Sequence, residues 1–272
     1  MAAGILTPAA TAGAVGPDAS NPEAQRMAAQ LTAAATAVRN ASAAVDRLRA
    51  QPPAPVAVDQ VRADLALAQA TFTFRDAIRK EQALVYTLAG RPDLEAATLP
   101  LLTGPGAAGL GDAGRALRAL WRLSGFDPAG TVRPHYSKRV GAAEPVDALL
   151  GYYRASASRT GIDWTYLAAI NYIESDFGRV NGPSSAGAMG PMQFLPSTFR
   201  EYGGGGDIMS PKDSIQAAAL LLARNGAPSD YGRALFRYNH SQDYVSAVTS
   251  YATAIRGDTL WLTRLYYWST YG

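Results

Sequence analysis

Apolar residues return at helical spacing over most of the chain, and strict apolar–polar alternation, the mark of a half-buried strand, is missing. Between Pro22 and Gln51 the sequence is alanine-rich, and Leu31, Val38 and Val45 recur every seventh position, which predicts a helix with a narrow apolar seam. Pro52, Pro53 and Pro55 cannot continue it. Beyond them Val58, Val61, Leu65, Ala68 and Phe72 fall at alternating steps of three and four, predicting a second helix that runs to about Gly90. Two helices joined by a proline turn form an antiparallel hairpin, read first as a packing or spacer element, with a protein partner as the alternative. From Leu99 to about Ala143 the chain is rich in Gly and Pro and carries one helical pattern, GDAGRALRALWRL. The last part is denser in aromatics and punctuation. Pro145 opens VDALLGYYRASASRT, Gly161 stops it, Asp163 caps WTYLAAINYIES, and Ser210-Pro211 starts a helix that reaches Gly226. DYGRALFRYN and SQDYVSAVTSYATAI supply two more, and Phe177 to Pro196 reads as one long irregular loop. The expected fold is therefore mainly α. Residues 1–21 are expected to be a flexible segment, 22–98 a helical hairpin, 99–142 a linker region with a short helix, and 143–272 a second helical domain.

Composition narrows the function classes. At 272 residues and 48% hydrophobic the chain can bury an ordinary core. Its formal charge is +3 and its pI near 9.1, without a run of Lys or Arg, so nucleic acid is a poor partner and a polyanionic wall suits the balance as well. Cysteine is absent and His135 and His240 are the only histidines, so neither a disulfide framework nor a metal site is expected, and no cofactor is implied. No stretch has the roughly 18 uncharged apolar residues of a membrane span. The opening MAAGILTPAATAGAVG lacks a basic region and a leucine-rich core, so it does not read as an intact signal peptide; either one was removed or the protein takes another route.

One carboxylate stands out. Leu167, Ile170 and Glu174 share a stripe of the helix that follows Asp163, so Glu174 faces inward or into a cleft. It lies in the last turn, where unpaired carbonyls carry partial negative charge. Partial burial and that dipole both disfavour the ionised form, which suits a group that delivers a proton near neutral pH. On position alone, a glutamate that merely pairs with a neighbour remains open. The loop behind it adds Gly182, Gly187 and Gly190 with Ser184 and Ser185, which let a ligand approach the backbone, and then Met192 and Gln193, an apolar surface beside an amide suited to sugar hydroxyl or acetamido groups. Gly182-Pro-Ser-Ser-Ala fails the G-x-S-x-G pattern and Gly203–Gly206 lacks the following Lys-Ser or Lys-Thr, so neither a serine hydrolase nor a phosphate loop is indicated.

Three motifs, AINYIESDFG, SAGAMGPMQFLPSTF and RYNHSQDYVSAV, together resemble the signature of lytic transglycosylases that cleave peptidoglycan on a goose-lysozyme-like fold, in the GPMQF form of secreted high-GC Gram-positive members. The resemblance spans residues 143 to 254. It implies a lysozyme-like catalytic domain, Glu174 as the catalytic acid, and a secreted or cell-wall location. Gly190, Pro191, Met192 and Gln193 match the family's Gly-Leu-Met-Gln with proline for leucine, and Arg237, Tyr238 and Asn239 match Ala-Tyr-Asn with arginine for alanine. Ser175, Ser184, Met192, Gln193, Phe194, Tyr238 and Asn239 are then expected to line the glycan groove. By the same resemblance, Glu174 protonates the oxygen between N-acetylmuramic acid and N-acetylglucosamine. It then takes the proton of the muramoyl C6 hydroxyl as that hydroxyl attacks C1, leaving a 1,6-anhydro end. A muramidase on the same fold would need a second carboxylate, with Asp176, Asp207 and Asp213 the candidates. An idle wall-binding or assembly protein would have no need of an intact Glu174, Gln193, Tyr238 and Asn239.

Overall fold

The structure is a computed structural model that describes residues 21–104, 106–128, 141–180 and 182–268. Apart from Asn21, the segment expected to be flexible lies outside the described residues, as does His135. Eleven α-helices and one 3₁₀ turn make up the described architecture, with an isolated antiparallel bridge between Met189 and Phe194.

Helix α1 (Pro22–Arg49) begins on Asn21, whose side-chain oxygen accepts from the Glu23 and Ala24 amides at 3.0 and 3.1 Å, and proline at the first position needs no donor. Leu31, Val38 and Val45 are buried, as their spacing predicts. Helix α2 (Ala57–Ala89) returns antiparallel along α1. The two halves of α2 behave differently. Its second half buries Phe74, Ile78, Val85 and Leu88, whereas in the first half Leu67 and Ala70 pack against the core and the regular seam faces out. Val61, Leu65 and Phe72 are 66, 67 and 65% exposed. Periodicity identified the helix but not the face that is covered; an apolar stripe of this kind is where the partner reading of the hairpin would rest.

Helix α3 (Pro92–Thr98), a 3₁₀ turn (Leu99–Leu101) and helix α4 (Leu110–Ser124) follow. The segment read as a linker is well packed where it is described. Gly109 enters α4 at φ 83°, and a Cβ there would lie 2.3 Å from the indole nitrogen of Trp261, so only glycine lets that tryptophan donate to the Ala108 carbonyl at 2.8 Å.

The C-terminal part comprises α5 (Val146–Thr160), α6 (Trp164–Ser175), α7 (Pro196–Tyr202), α8 (Pro211–Arg224), α9 (Tyr231–Tyr238), α10 (Gln242–Gly257) and α11 (Leu260–Tyr267). Gly161 ends α5 at φ 75°, and Asp163 caps α6 by accepting from the Thr165 amide. Helix α6 is the centre of this part. Thr165 through Tyr172 are all buried, and α5, α8 and α10 pack around it. On its outer side α10 is covered by α4, so packing is continuous between the two halves of the chain. Two further features cross the same boundary: Tyr86, Trp121 and Trp268 meet ring to ring, and Arg264 forms a fully buried pair with Glu81 at 2.7 Å. Arg264 also reaches Asp258, which Arg39 holds from α1 at 2.7 Å.

Candidate active site

The C-terminal end of α6 sets the site. After Ser175 the chain leaves the helix through Asp176 and Phe177, both in the left-handed region at φ 50° and 60°, and Gln193 sits at φ 47° across from them. These are the only non-glycine residues with positive φ among those described, and backbone strain of this kind persists only where surrounding contacts over-determine it. Here the contacts are visible. The Pro191 carbonyl accepts from the Asn171 amide at 2.8 Å and from the Ser175 hydroxyl at 2.5 Å; the Ser175 oxygen accepts in turn from Gly178 N–H, and Tyr153 fixes Asn171 at 2.6 Å. The loop is thereby tied to the last turn of α6. Gly190 completes the turn at φ 75°, where a Cβ would meet the Ile208 carbonyl at 1.9 Å. The Met189–Phe194 bridge closes it with reciprocal bonds of 2.8 and 2.9 Å.

Glu174 is half-buried on this last turn, and its Oε1 accepts from the Tyr244 hydroxyl at 2.7 Å. Tyr244, in the first turn of α10, is 1% exposed, and its ring stacks on Tyr238 with centroids 6.1 Å apart. Tyr238, the last residue of α9, packs on Phe194 and donates to the Met192 carbonyl at 2.7 Å. Burial and then the charge of Glu174 push both phenols well above their ordinary range, so both are neutral donors at any physiological pH. The result is a relay of contacts, Glu174 to Tyr244 to Tyr238 to the Met192–Phe194 loop, that joins α6, α9 and α10.

The expected site residues fall into two groups. Glu174, Gln193, Tyr238 and Asn239 keep partial exposure; the Gln193 side chain donates to the Gly190 carbonyl, while Asn239 donates to the Leu235 carbonyl through its backbone N–H and its side-chain amide makes no hydrogen bond with a described residue. Ser184 is half-buried and closes its own turn by accepting from Ala188 N–H. Ser175, Met192 and Phe194, expected to line the groove, are buried. Ser175 holds the loop, Met192 offers its carbonyl to Tyr238, and Phe194 backs Tyr238 and Phe199. Tyr238 differs as well, since its hydroxyl is directed at a loop carbonyl. Sequence reasoning missed Tyr244. With Val248, Tyr251 and Ile255 it forms the buried stripe of α10, so by pattern it is a core residue, and only the crossing of α6 and α10 brings Glu174 to it.

The three carboxylates weighed as a second acid are engaged elsewhere. Asp176 pairs with Arg179 at 3.0 Å, Asp207 accepts from Met209 N–H, and Asp213 accepts from Asp207 N–H. A carboxyl group held by a tyrosine beside a strained, small-residue loop has the chemistry to give and take a proton. Comparison with family models matches residues 151–257 to the transglycosylase SLT domain. This stretch belongs to that family. The SLT domain is lysozyme-like, and lytic transglycosylases of this family act on peptidoglycan; its matched stretch begins within α5, ends with α10 and contains every residue of the relay. Neither the curated proteins nor the solved structures gave a match.

Proposed function

We propose that the chain is a lytic transglycosylase that cleaves the β-1,4 bond between N-acetylmuramic acid and N-acetylglucosamine with Glu174 as its single acid and base. The observation that carries the reading is the placement of Glu174: half-buried, in the last turn of the SLT domain's central helix, with one oxygen accepting from Tyr244. The catalytic proton rides on the Glu174 carboxyl, which Tyr244 holds through Oε1. It passes to the glycosidic oxygen as the C1–O bond breaks. The carboxylate then takes the proton of the muramoyl C6 hydroxyl while that oxygen bonds to C1, and Glu174 ends protonated as it began. No water is consumed, and the product carries a 1,6-anhydro ring. Tyr244 stabilises the carboxylate half of the cycle, which a neutral donor can do without itself ionising. Asn239 and Gln193 present amides to the sugar at the mouth of the site. A hydrolytic outcome would need a base to position water, and Asp176, Asp207 and Asp213 are each held by other partners. Such an enzyme works at the cell wall, and no helix among the described residues is long and apolar enough to cross a membrane.

The test is Glu174→Gln, which keeps shape and removes the titratable proton. Turnover of isolated peptidoglycan should fall by roughly 100-fold or more with the thermal transition retained. Near-normal turnover in this variant would remove Glu174 from the mechanism.

A further inference from the structure

A concavity lies where the N-terminal hairpin meets the SLT domain, at the end of α6 opposite Glu174. Its volume is about 400 Å³, within the range of ligand sites. One wall is α1, contributing Arg39, Ser42, Asp46 and Arg49; the facing wall is α5, contributing Asp147 and Arg154. Val45, Phe74 and Leu262, all buried, form an apolar floor. Trp164, the first residue of α6, flanks Arg154, whose guanidinium lies 5.8 Å from the indole ring.

The charges in this cleft are arranged unusually. Arg39 is neutralised by Asp258, but Asp46, Arg49, Asp147 and Arg154 form no ion pair with any described residue, although both signs face the same space. Elsewhere on this molecule acidic and basic side chains within reach pair readily, as Arg122 does with Asp243 and Arg256 with Asp163. A neutral glycan could hydrogen-bond these groups but would leave their charges uncompensated, and a polyanion would be opposed by two of them. A short chain that carries carboxylates and an amine together satisfies both signs, and its aliphatic stem can lie on the apolar floor and the indole.

We propose that this cleft binds a zwitterionic peptide, and that in the wall its ligand is a peptide stem of the polymer. The identity of the ligand as a wall peptide rests on the function proposed above; the preference for a zwitterion rests on the cleft alone. Trp164 and Glu174 stand at opposite ends of α6, roughly 15 Å apart at 1.5 Å per residue, and Asp258 and Tyr244 stand at opposite ends of α10, roughly 20 Å apart. A tetrapeptide reaches at most about 14 Å. The peptide held here therefore hangs from a sugar outside the scissile pair or from a neighbouring strand. The N-terminal hairpin, which lies outside the matched domain, supplies half of the site, and this gives it a role in choosing where the wall is cut.

The experiment uses the full chain and a synthetic tetrapeptide, Ala-Glu-Lys-Ala, with free carboxylates and a free lysine amine, followed by calorimetry and by tryptophan fluorescence. Saturable binding is expected, weakened roughly threefold to tenfold by Arg154→Gln or Asp147→Asn and abolished in Arg49→Gln/Arg154→Gln. Acetylating the amine or amidating the carboxyl groups of the peptide should weaken it comparably, and Trp164→Phe should remove most of the fluorescence change. Glu174→Gln should bind the peptide as the native chain does. Absence of binding, equal affinity for the doubly capped peptide, or loss of binding in Glu174→Gln would each overturn the proposal, the last by placing the peptide in the catalytic groove. Since binding is read without turnover, a chain that binds the peptide but cleaves no glycan would contradict the proposed reaction and leave the cleft standing.

Discussion

Replacing Tyr244 with phenylalanine isolates one hydrogen bond at the centre of the site. The change removes only the hydroxyl that donates to Glu174 Oε1 at 2.7 Å, in a position that is 1% exposed, and it keeps the ring that stacks on Tyr238. A hydrogen bond to a charged group is worth about 1.5–3 kcal/mol. In the proposed cycle that energy supports the carboxylate that accepts the C6 proton, so its loss should lower turnover by roughly 10- to 150-fold. The donor favours the charged form of Glu174, and without it the limb of the pH–rate profile that reports Glu174 should move toward higher pH. The ring contacts are untouched, so the thermal transition should change little. The assay is turnover of isolated peptidoglycan across pH 4 to 9 beside a melt followed by circular dichroism. Native turnover with an unshifted profile would refute the role of Tyr244. A large loss of stability would show instead that the hydroxyl serves the fold.

Three further outcomes follow from the packing and the charges. Arg264→Met strands Glu81 as a fully buried carboxylate and should destabilise by about 3–5 kcal/mol, whereas Arg264→Met/Glu81→Leu should recover most of it; denaturant titration of both variants decides the matter. A fragment of residues 143–272 would lose Glu81, the partner of Arg264, and the cover that α4 gives α10, so it should show no cooperative melt, contrary to what a mere spacer in the first half would predict. Tyr153, Tyr172, Tyr238, Tyr244 and Tyr251 are all pushed well above the ordinary phenol range, chiefly by burial. Their folded values exceed the unfolded one near ~10, so the stability they hold is complete below pH ~10 and is lost as pH rises beyond it. The melting temperature should fall steeply there, and the share of the phenolate absorbance near 295 nm that these five of the 14 tyrosines supply should appear only on unfolding.

How far the sequence could be read depended on the range of the interaction. Local signals were legible: the seven-residue seam of Leu31, Val38 and Val45, the cap at Asp163, the stop at Gly161 and the proline start of α8 all act within one or two turns. Glu174 could be placed for the same reason, since its stripe and its position in the last turn are properties of one helix. Helices α7 and α11 were not picked out, as seven- and eight-residue elements offer too few turns for a period to stand above chance. The seam of α2 was read correctly as helix, yet nothing local says that its first half faces solvent. Glu81 and Arg264 lie 183 positions apart and Glu174 and Tyr244 lie 70 apart, so neither pair leaves a mark on any window of sequence. The burial of Ser175, Met192 and Phe194 was not legible either, because a motif gives proximity to a site without telling which side chains line its surface and which support it from behind.

The central claim is that Glu174 works alone, with the substrate's own hydroxyl as nucleophile. Mass spectrometry of the products released from isolated peptidoglycan by the purified chain tests it most directly. The account predicts glycan ends carrying 1,6-anhydromuramic acid, lighter by one water than the hydrolytic product and resistant to borohydride. Reducible muramic acid ends as the main product would contradict it, since they would require a water and a base that the proposed mechanism does not contain.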